Sequence, residues 1–324
     1  MKEGRGERRP ATADRGPIFI GGLDRSGKTY MRLMLTSHPH IAMSRRTNLW
    51  THFYNRFGDL SRQDNFERCL AAMLRRKHVR SLQPDPERLR REFWQGEPTY
   101  VRLFALLHQQ YAEREGKPRW GAQTELVERH ADLVFAAYPA AKMIHMLRDP
   151  RDRYEASLAR RPQGRGRVGA AAARWQHSAG LARRNRQRYP DRYKIIRYET
   201  MVSQPEETLQ EVCAFLEEEY TAAMLTMEEA ARFQEGSGQG ANPRSGQSPL
   251  STDYVGRYRQ VVPMREIAFM QAYAGREMEA WGYPLEPIRF SLGDRLRFYF
   301  IDWPGNLARM AAWRALEARR PAQA

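Results

Sequence analysis

Cysteine is almost absent from this 324-residue chain: Cys69 and Cys213 are the only two. They lie too far apart in sequence for a metal motif or a redox pair, and both stand among apolar residues of helical pattern. Buried free thiols in a reducing cytoplasm are therefore expected. Lysine is nearly as scarce. Lys2, Lys28, Lys77, Lys117, Lys142 and Lys194 are the only lysines among 54 basic residues, so the positive charge is carried by arginine. No stretch reaches the roughly 20 apolar residues of a membrane span. Residues 1–16, charged and glycine-rich, lack the apolar core of a signal peptide, so a cytoplasmic protein is expected. No internal period marks a repeat protein. Basic runs interleaved with aromatics are missing as well, which argues against a nucleic-acid partner.

What is present is a hydrophobic fraction of 41% beside a charged fraction of 28%, enough to build one large α/β domain. The net charge of +16 favours anionic partners. Residues 16–22, GPIFIGG, form a short apolar run closed by two glycines, the pattern of a buried parallel strand. A helix follows, with Tyr30, Met31, Met34 and Leu35 on one face, and it stops before Pro39. Residues 64–115 read as three helices punctuated by Pro84, Pro86 and Pro98, placed either as a lid or as packing helices. Further strands are expected at 141–147 and 192–199, and a long helix at 168–188. Ser203 and Glu206 are spaced as a capping box. Residues 235–251 read as a flexible loop by composition. The alternation of strand and helix predicts a parallel sheet flanked by helices. The expected divisions are a loose 1–16, a main domain over 17–288 and a helical extension over 289–324. That tail carries aromatics and arginines, and is a candidate for docking on the body, pairing with a second chain, or touching an anionic membrane surface.

The strongest motif is GLDRSGKT, Gly22 to Thr29, which satisfies the phosphate-loop pattern G-x-x-x-x-G-K-T between a strand and a helix. Gly27 lets backbone amides approach an anion, and the helix start directs its free N–H groups and positive dipole end at it. Lys28 and Thr29 add side-chain donors. A nucleoside triphosphate also needs an acid to hold Mg²⁺ at a neighbouring strand tip. Here the strand at 141–147 is followed first by Arg148, with Arg151 and Arg153 beyond it. An arginine at that edge attracts a second phosphate rather than a metal, so a nucleotide with two separate phosphates fits better.

With these residues in view, the chain resembles the sulfotransferases that use 3′-phosphoadenosine-5′-phosphosulfate (PAPS). PIFIGGLDRSGKTYMRLMLTSHPHIAM is similar to their 5′-phosphosulfate loop, and AKMIHMLRDPRDRYEASL to their 3′-phosphate segment. IRYETMVSQPEETLQEVCAFLEEE and YVGRYRQVVP…EMEAWGYP follow in the family's order. The resemblance spans residues 17–284 and implies a fold related to the P-loop nucleotide kinases. It implies a PAPS-dependent enzyme that sulfates a small-molecule, carbohydrate, lipid or peptide acceptor without a metal. It also implies roles for particular residues. Arg25 would contact the bridging oxygen and the transferring group, while Ser26, Gly27, Lys28 and Thr29 wrap the 5′-phosphate. Arg148 would meet the 3′-phosphate with a helix serine as partner, Tyr198 would lie near adenine, and Arg257 would close over the 3′-phosphate.

Three positions depart from that pattern. Lys28 replaces a threonine. Ser157 lies one residue beyond the usual serine offset, where Ala156 stands, a displacement of about 100° around a helix. Arg46 occupies the place where many relatives carry a glutamate base. The remaining candidates for the base are Glu125 and, after it, His52. Two rival readings stay open on the sequence: a P-loop kinase or NTPase, resting on Lys28, and a degenerate binding or scaffolding protein without its base.

Overall fold

The computed structural model describes residues 15–159, 162–164, 166–227 and 250–318. The expected loop over 235–251 lies almost wholly outside the described residues, as does most of the N-terminal segment. Five strands, β1 (Ile18–Gly21), β2 (Ile41–Ser44), β3 (Arg119–Gln123), β4 (Lys142–Leu147) and β5 (Tyr193–Arg197), make one sheet in the order β2-β3-β1-β4-β5. Every pairing is parallel, with Phe19 beside Ala122 on one side and Met143 on the other. β1 is thus central. The chain leaves it towards β2, then returns through β3 and crosses to β4, so connections diverge at its carboxyl end. Such a switch point is where open α/β sheets hold their ligands.

Alternation along β1 sends its side chains to two separate cores. Ile18 and Ile20 pack with Met31 and Met34 of α1 (Lys28–Thr36). Phe19 faces the other way, at 6.1 Å from Phe104 and 5.8 Å from Trp120. That second face is covered by α2 (Leu49–His52), α3 (Gln63–Leu74), α4 (Lys77–Arg80), α5 (Pro86–Phe93), α6 (Tyr100–Arg114) and α7 (Ala131–Ala137). The helices between β2 and β3 therefore form much of the core on this face. Truncating Phe19 to alanine there costs about 3–5 kcal/mol.

Two strands, β2 and β3, were not expected from the sequence. Their residues, IAMS and RWGAQ, are mostly small or polar and have weak strand propensity. Burial on both faces, with β3 between β1 and β2 and β2 paired along β3 at the sheet edge, decides their conformation. Further along, α8 (Pro150–Leu158) starts on a proline, capped by the Asp149 carboxylate accepting from the Arg151 N–H at 2.8 Å. α9 (Val168–Arg188) matches its expected span. β5 runs directly into α10 (Tyr198–Ser203), and α11 (Pro205–Leu216) follows. The expected capping box does not form. Ser203 closes α10 and donates back to the Glu199 carbonyl at 2.8 Å, while Pro205 at the start of α11 has no N–H to cap. After α12 (Ala223–Thr226) come the short α13 (Tyr258–Val261) and the long α14 (Met264–Ala280).

The tail packs on the body. α15 (Leu292–Arg297), a π-turn (Phe298–Asp302) and α16 (Trp303–Ala318) form nearly continuous helix. Phe298, Trp303 and Met310 join a cluster with Phe269 and Ala172. The Asn306 side chain accepts from the Gly169 N–H at 2.9 Å. Both cysteines are buried free thiols, and burial pushes Cys69 up to about 12 and Cys213 to about 11.

Candidate functional site

The loop from Gly22 to Lys28 lies at the carboxyl end of β1 and is held open by two left-handed glycines. Gly22 has φ 103°, and a Cβ there would fall 2.3 Å from the Met146 carbonyl oxygen of β4. Gly27 has φ 93° and leaves a Cβ only 2.7 Å from the Tyr198 ring. Both positions admit only glycine. Arg25 also has a positive φ, 68°, a conformation costing about 1 kcal/mol for a residue with a side chain. Backbone strain of this kind is concentrated at functional sites. The Ser26 hydroxyl donates to the Leu23 carbonyl at 2.6 Å. The Lys28 ammonium is buried and donates to the Gly22 carbonyl, so it braces the loop from inside. Burial lowers its proton affinity, against the opposing pull of Asp24, Glu128 and Glu125. Thr29 is exposed at the helix start.

Arg148, the first residue past β4, reaches the same loop. Its guanidinium donates to the Arg25 carbonyl at 3.1 Å and to the Tyr254 carbonyl at 2.8 Å, and lies 4.3 Å above the Tyr198 ring. Tyr198 is itself buried, packed between Gly27 and this arginine. α8 recruits the late segment of the chain through Asp152, which accepts from the Gly256 and Tyr258 N–H groups at 2.7 and 3.0 Å. Arg257 is thereby placed on the outer side, 3.5 Å from Glu155 and 5.5 Å from the Tyr254 ring. The Ser157 hydroxyl donates to the Arg153 carbonyl at 2.9 Å. Arg151 serves the fold instead of a ligand. It is buried, pairs with Asp149 at 2.7 Å, and donates to Gln271 and to the Pro284 carbonyl.

The mouth of the loop carries two carboxylates and two arginines. Arg46 pairs with Asp24 at 2.8 Å and stands 3.9 Å from Glu125. Burial would raise the Asp24 carboxyl, but Lys28, Arg46 and Arg153 together hold it below its ordinary value. The Glu125 backbone is fixed by the Thr51 hydroxyl, which donates to its carbonyl at 3.0 Å. Its charge also acts on Lys28 and Arg153. His52 is exposed, and partial burial together with Arg76, Arg56 and Arg46 lowers its proton affinity. Arg153 is the unusual member. Only 7% of it is accessible, its Nε has no hydrogen-bond partner among the described residues, and it pairs with no acid there. Burial, with Arg174 and Arg148 nearby, brings it down to about 10.

Beneath the loop lies a buried polar network that no motif in the sequence marks. The Glu128 carboxylate accepts from the Gly22 N–H at 3.1 Å. His145 of β4 bonds the Tyr193 hydroxyl at 2.6 Å and the Ser178 hydroxyl at 3.2 Å. Asn185 donates to the Glu128 carbonyl at 2.7 Å. Burial would raise the Glu128 carboxyl, yet His145, Lys28 and the Gly22 N–H outweigh it and the net shift is downward. Nothing in the VERH stretch marks this glutamate, because its partners are far off in sequence. Asp24 was legible as a loop residue, but its pairing with Arg46 was not. Among the described residues, the grouped metal-type donors are His38, His40 and Glu218. They lie by the amino ends of β2 and β3, where Glu218 is already paired with Arg15 and Arg119.

A parallel sheet with a glycine-bounded strand-to-helix loop at its switch point, and an arginine from the next strand reaching that loop, defines a P-loop-type α/β protein. The chain belongs to the sulfotransferase family, whose model matches residues 17–222. It is 25% identical over 219 residues to a protein-tyrosine sulfotransferase of Drosophila melanogaster, a stretch covering 65% of this chain and 40% of that protein. The match thus spans well under half of that curated relative. Two solved structures share the fold. One is the sulfotransferase domain of the Synechococcus PCC 7002 olefin synthase, with TM-score 0.57 and 20% identity over 83% of this chain and 95% of that one. The other is the sulfotransferase domain of the curacin biosynthetic pathway, with TM-score 0.52 and 17% identity over 84% and 99%.

Proposed function

We propose that this protein transfers a sulfuryl group from PAPS to a hydroxyl or amine acceptor and releases 3′,5′-ADP. The observation that carries the reading is the pair of cationic sites on one loop. Lys28 and the loop amides form one, and Arg148, bonded to the Arg25 carbonyl, forms the other. The residues fit a ligand with two separate phosphates. Arg148 and Arg153 each keep a buried Nε without a partner among the described residues. A buried cationic donor left unpaired is costly, and a bound anion relieves that cost.

Bound there, PAPS supplies an activated sulfuryl group on its 5′-phosphate. Ser26, Gly27, Lys28 and Thr29 hold the 5′ end through loop N–H groups and the Thr29 hydroxyl, with the Lys28 ammonium lending charge from beneath the loop while it braces the Gly22 carbonyl. Arg25 sets positive charge where negative charge grows during transfer, so it acts mainly on the transition state. Arg148 takes the 3′-phosphate and Arg257 closes from the solvent side. Tyr198 supports Arg148 and the loop from below, next to the adenosine end. Ser157 is offered as a further donor on α8, one that must release the Arg153 carbonyl to act. Glu125 accepts the proton of the acceptor. It is preferred over His52 because its charge acts on Lys28 and Arg153 at the loop, whereas His52 stands exposed among arginines.

The kinase reading lacks its metal-holding acid at the β4 tip. Asp149 is engaged by the Arg151 side chain at 3.0 and 2.7 Å and by the N-terminus of α8. Calorimetry separates the readings. Tighter binding of 3′,5′-ADP without metal than of ATP with Mg²⁺ is expected, and the reverse order overturns the proposal. Transfer of label from PAPS to an acceptor then tests the reaction and rejects a scaffolding role.

A further inference from the structure

The face of the tail turned away from the body is strongly apolar. Leu292, Leu296, Tyr299, Phe300 and Ile301 are all exposed, Leu292 and Phe300 to 75%. Single exposed apolar side chains are ordinary, but five within ten residues form a patch of the kind that marks an interaction surface. The first four recur at helical spacing and share one side. The π-turn sets the rest. Within it Phe298 points inward against Phe290 and Trp303 at 5.0 and 5.6 Å, while Tyr299, Phe300 and Ile301 stay outside.

The charges around this crest that no ion pair engages among the described residues are of one sign. Asp294 and Asp302 are both held by Arg265, at 3.0 and 3.1 Å. Arg289, Arg295 and Arg297 are exposed, and no ion pair engages them among the described residues. A second copy of the chain meeting this crest face to face would bring these arginines against their own counterparts, which the chain's net charge of +16 makes worse. An anionic lipid surface satisfies both features together: acyl chains for the apolar crest and headgroup charge for the flanking arginines. We propose that α15 and the π-turn form a docking surface for an anionic membrane, independent of the chemistry at the loop.

The test is flotation of the full chain with vesicles of phosphatidylcholine, alone or mixed with phosphatidylserine. Each arginine near an anionic surface contributes about fivefold, so three predict on the order of a hundredfold preference for the anionic vesicles. Raising the salt should reduce it. The double variant Arg295→Gln, Arg297→Gln should lose roughly thirtyfold of that binding. Phe300→Glu should abolish flotation while leaving the melting temperature unchanged, since its side chain is exposed. Equal binding to both vesicle types, no binding to either, or a wild-type dimer in sedimentation that Phe300→Glu disperses, each overturns the proposal.

Discussion

Replacing Arg153 by methionine separates a ligand-binding role from a structural one, because the two roles predict opposite signs. In the free protein this guanidinium is buried, forms no close ion pair with an acid among the described residues, and feels Arg174 and Arg148 against the more distant pull of Asp24 and Glu125. Burial brings it down to about 10, which corresponds to roughly 3 kcal/mol of destabilisation of the fold. The folded value lies below the unfolded one. The folded state is therefore penalised in full at pH below about 10, where the guanidinium is charged, and the penalty fades as pH rises from there towards the ordinary value. Methionine fills similar space without charge. For 324 residues the unfolding entropy is about 0.7 kcal/mol per degree, so the free variant should melt about 5 °C higher at neutral pH. A lost charge-assisted hydrogen bond contributes about 1.5–3 kcal/mol, so transfer from labelled PAPS should fall roughly ten- to a hundredfold. Differential scanning calorimetry and a transfer assay on the same preparations read both quantities. A free variant that melts lower than wild type, or one that keeps full activity, refutes the reasoning.

Three further outcomes are expected. Arg25→Ala should lower turnover by ~10²–10³ with a modest loss of 3′,5′-ADP affinity, measured by transfer assay and calorimetry; unchanged turnover removes it from the reaction. Glu125→Gln should lower turnover by about 10²–10⁴ with donor binding intact, while His52→Ala retains activity; the opposite pattern transfers the base role to His52. Glu128→Gln should destabilise the protein at pH 7 by about 1–3 kcal/mol, since the buried Lys28 loses the compensating charge of a nearby carboxylate. The Glu128 carboxyl is lowered in the fold, so its stabilisation is present above the ordinary value of 4.5 and is lost as pH falls below it. The gap in melting temperature between wild type and Glu128→Gln should therefore narrow in acid.

Much of the architecture was legible because the physics is local. The apolar run at β1, the glycines of the loop and the periodic face of α1 lie within twenty residues of one another, and each requires only its neighbours. β4, β5 and α9 announced themselves by length and pattern. β2 and β3 did not, because strands buried on both sides need no alternation, and small residues there become strand only when neighbours supply the hydrogen bonds. Ser203 and Glu206 had the spacing of a cap, but spacing does not reveal that α10 ends on the same serine.

At the site, sequence alone determined the residue types: a loop with a lysine, an arginine after β4, and an arginine where relatives carry a glutamate. Tertiary structure decided what those residues face. It set Arg46 against Asp24, tied Arg151 to Asp149, and buried Arg153 without an acid partner among the described residues. It also placed Glu128 under the loop through contacts spanning more than a hundred residues of chain. Charge and hydrogen-bonding capacity belong to the side chain, whereas burial and partnership exist only once distant segments meet. Those two decide whether a charge serves the fold or waits for a ligand.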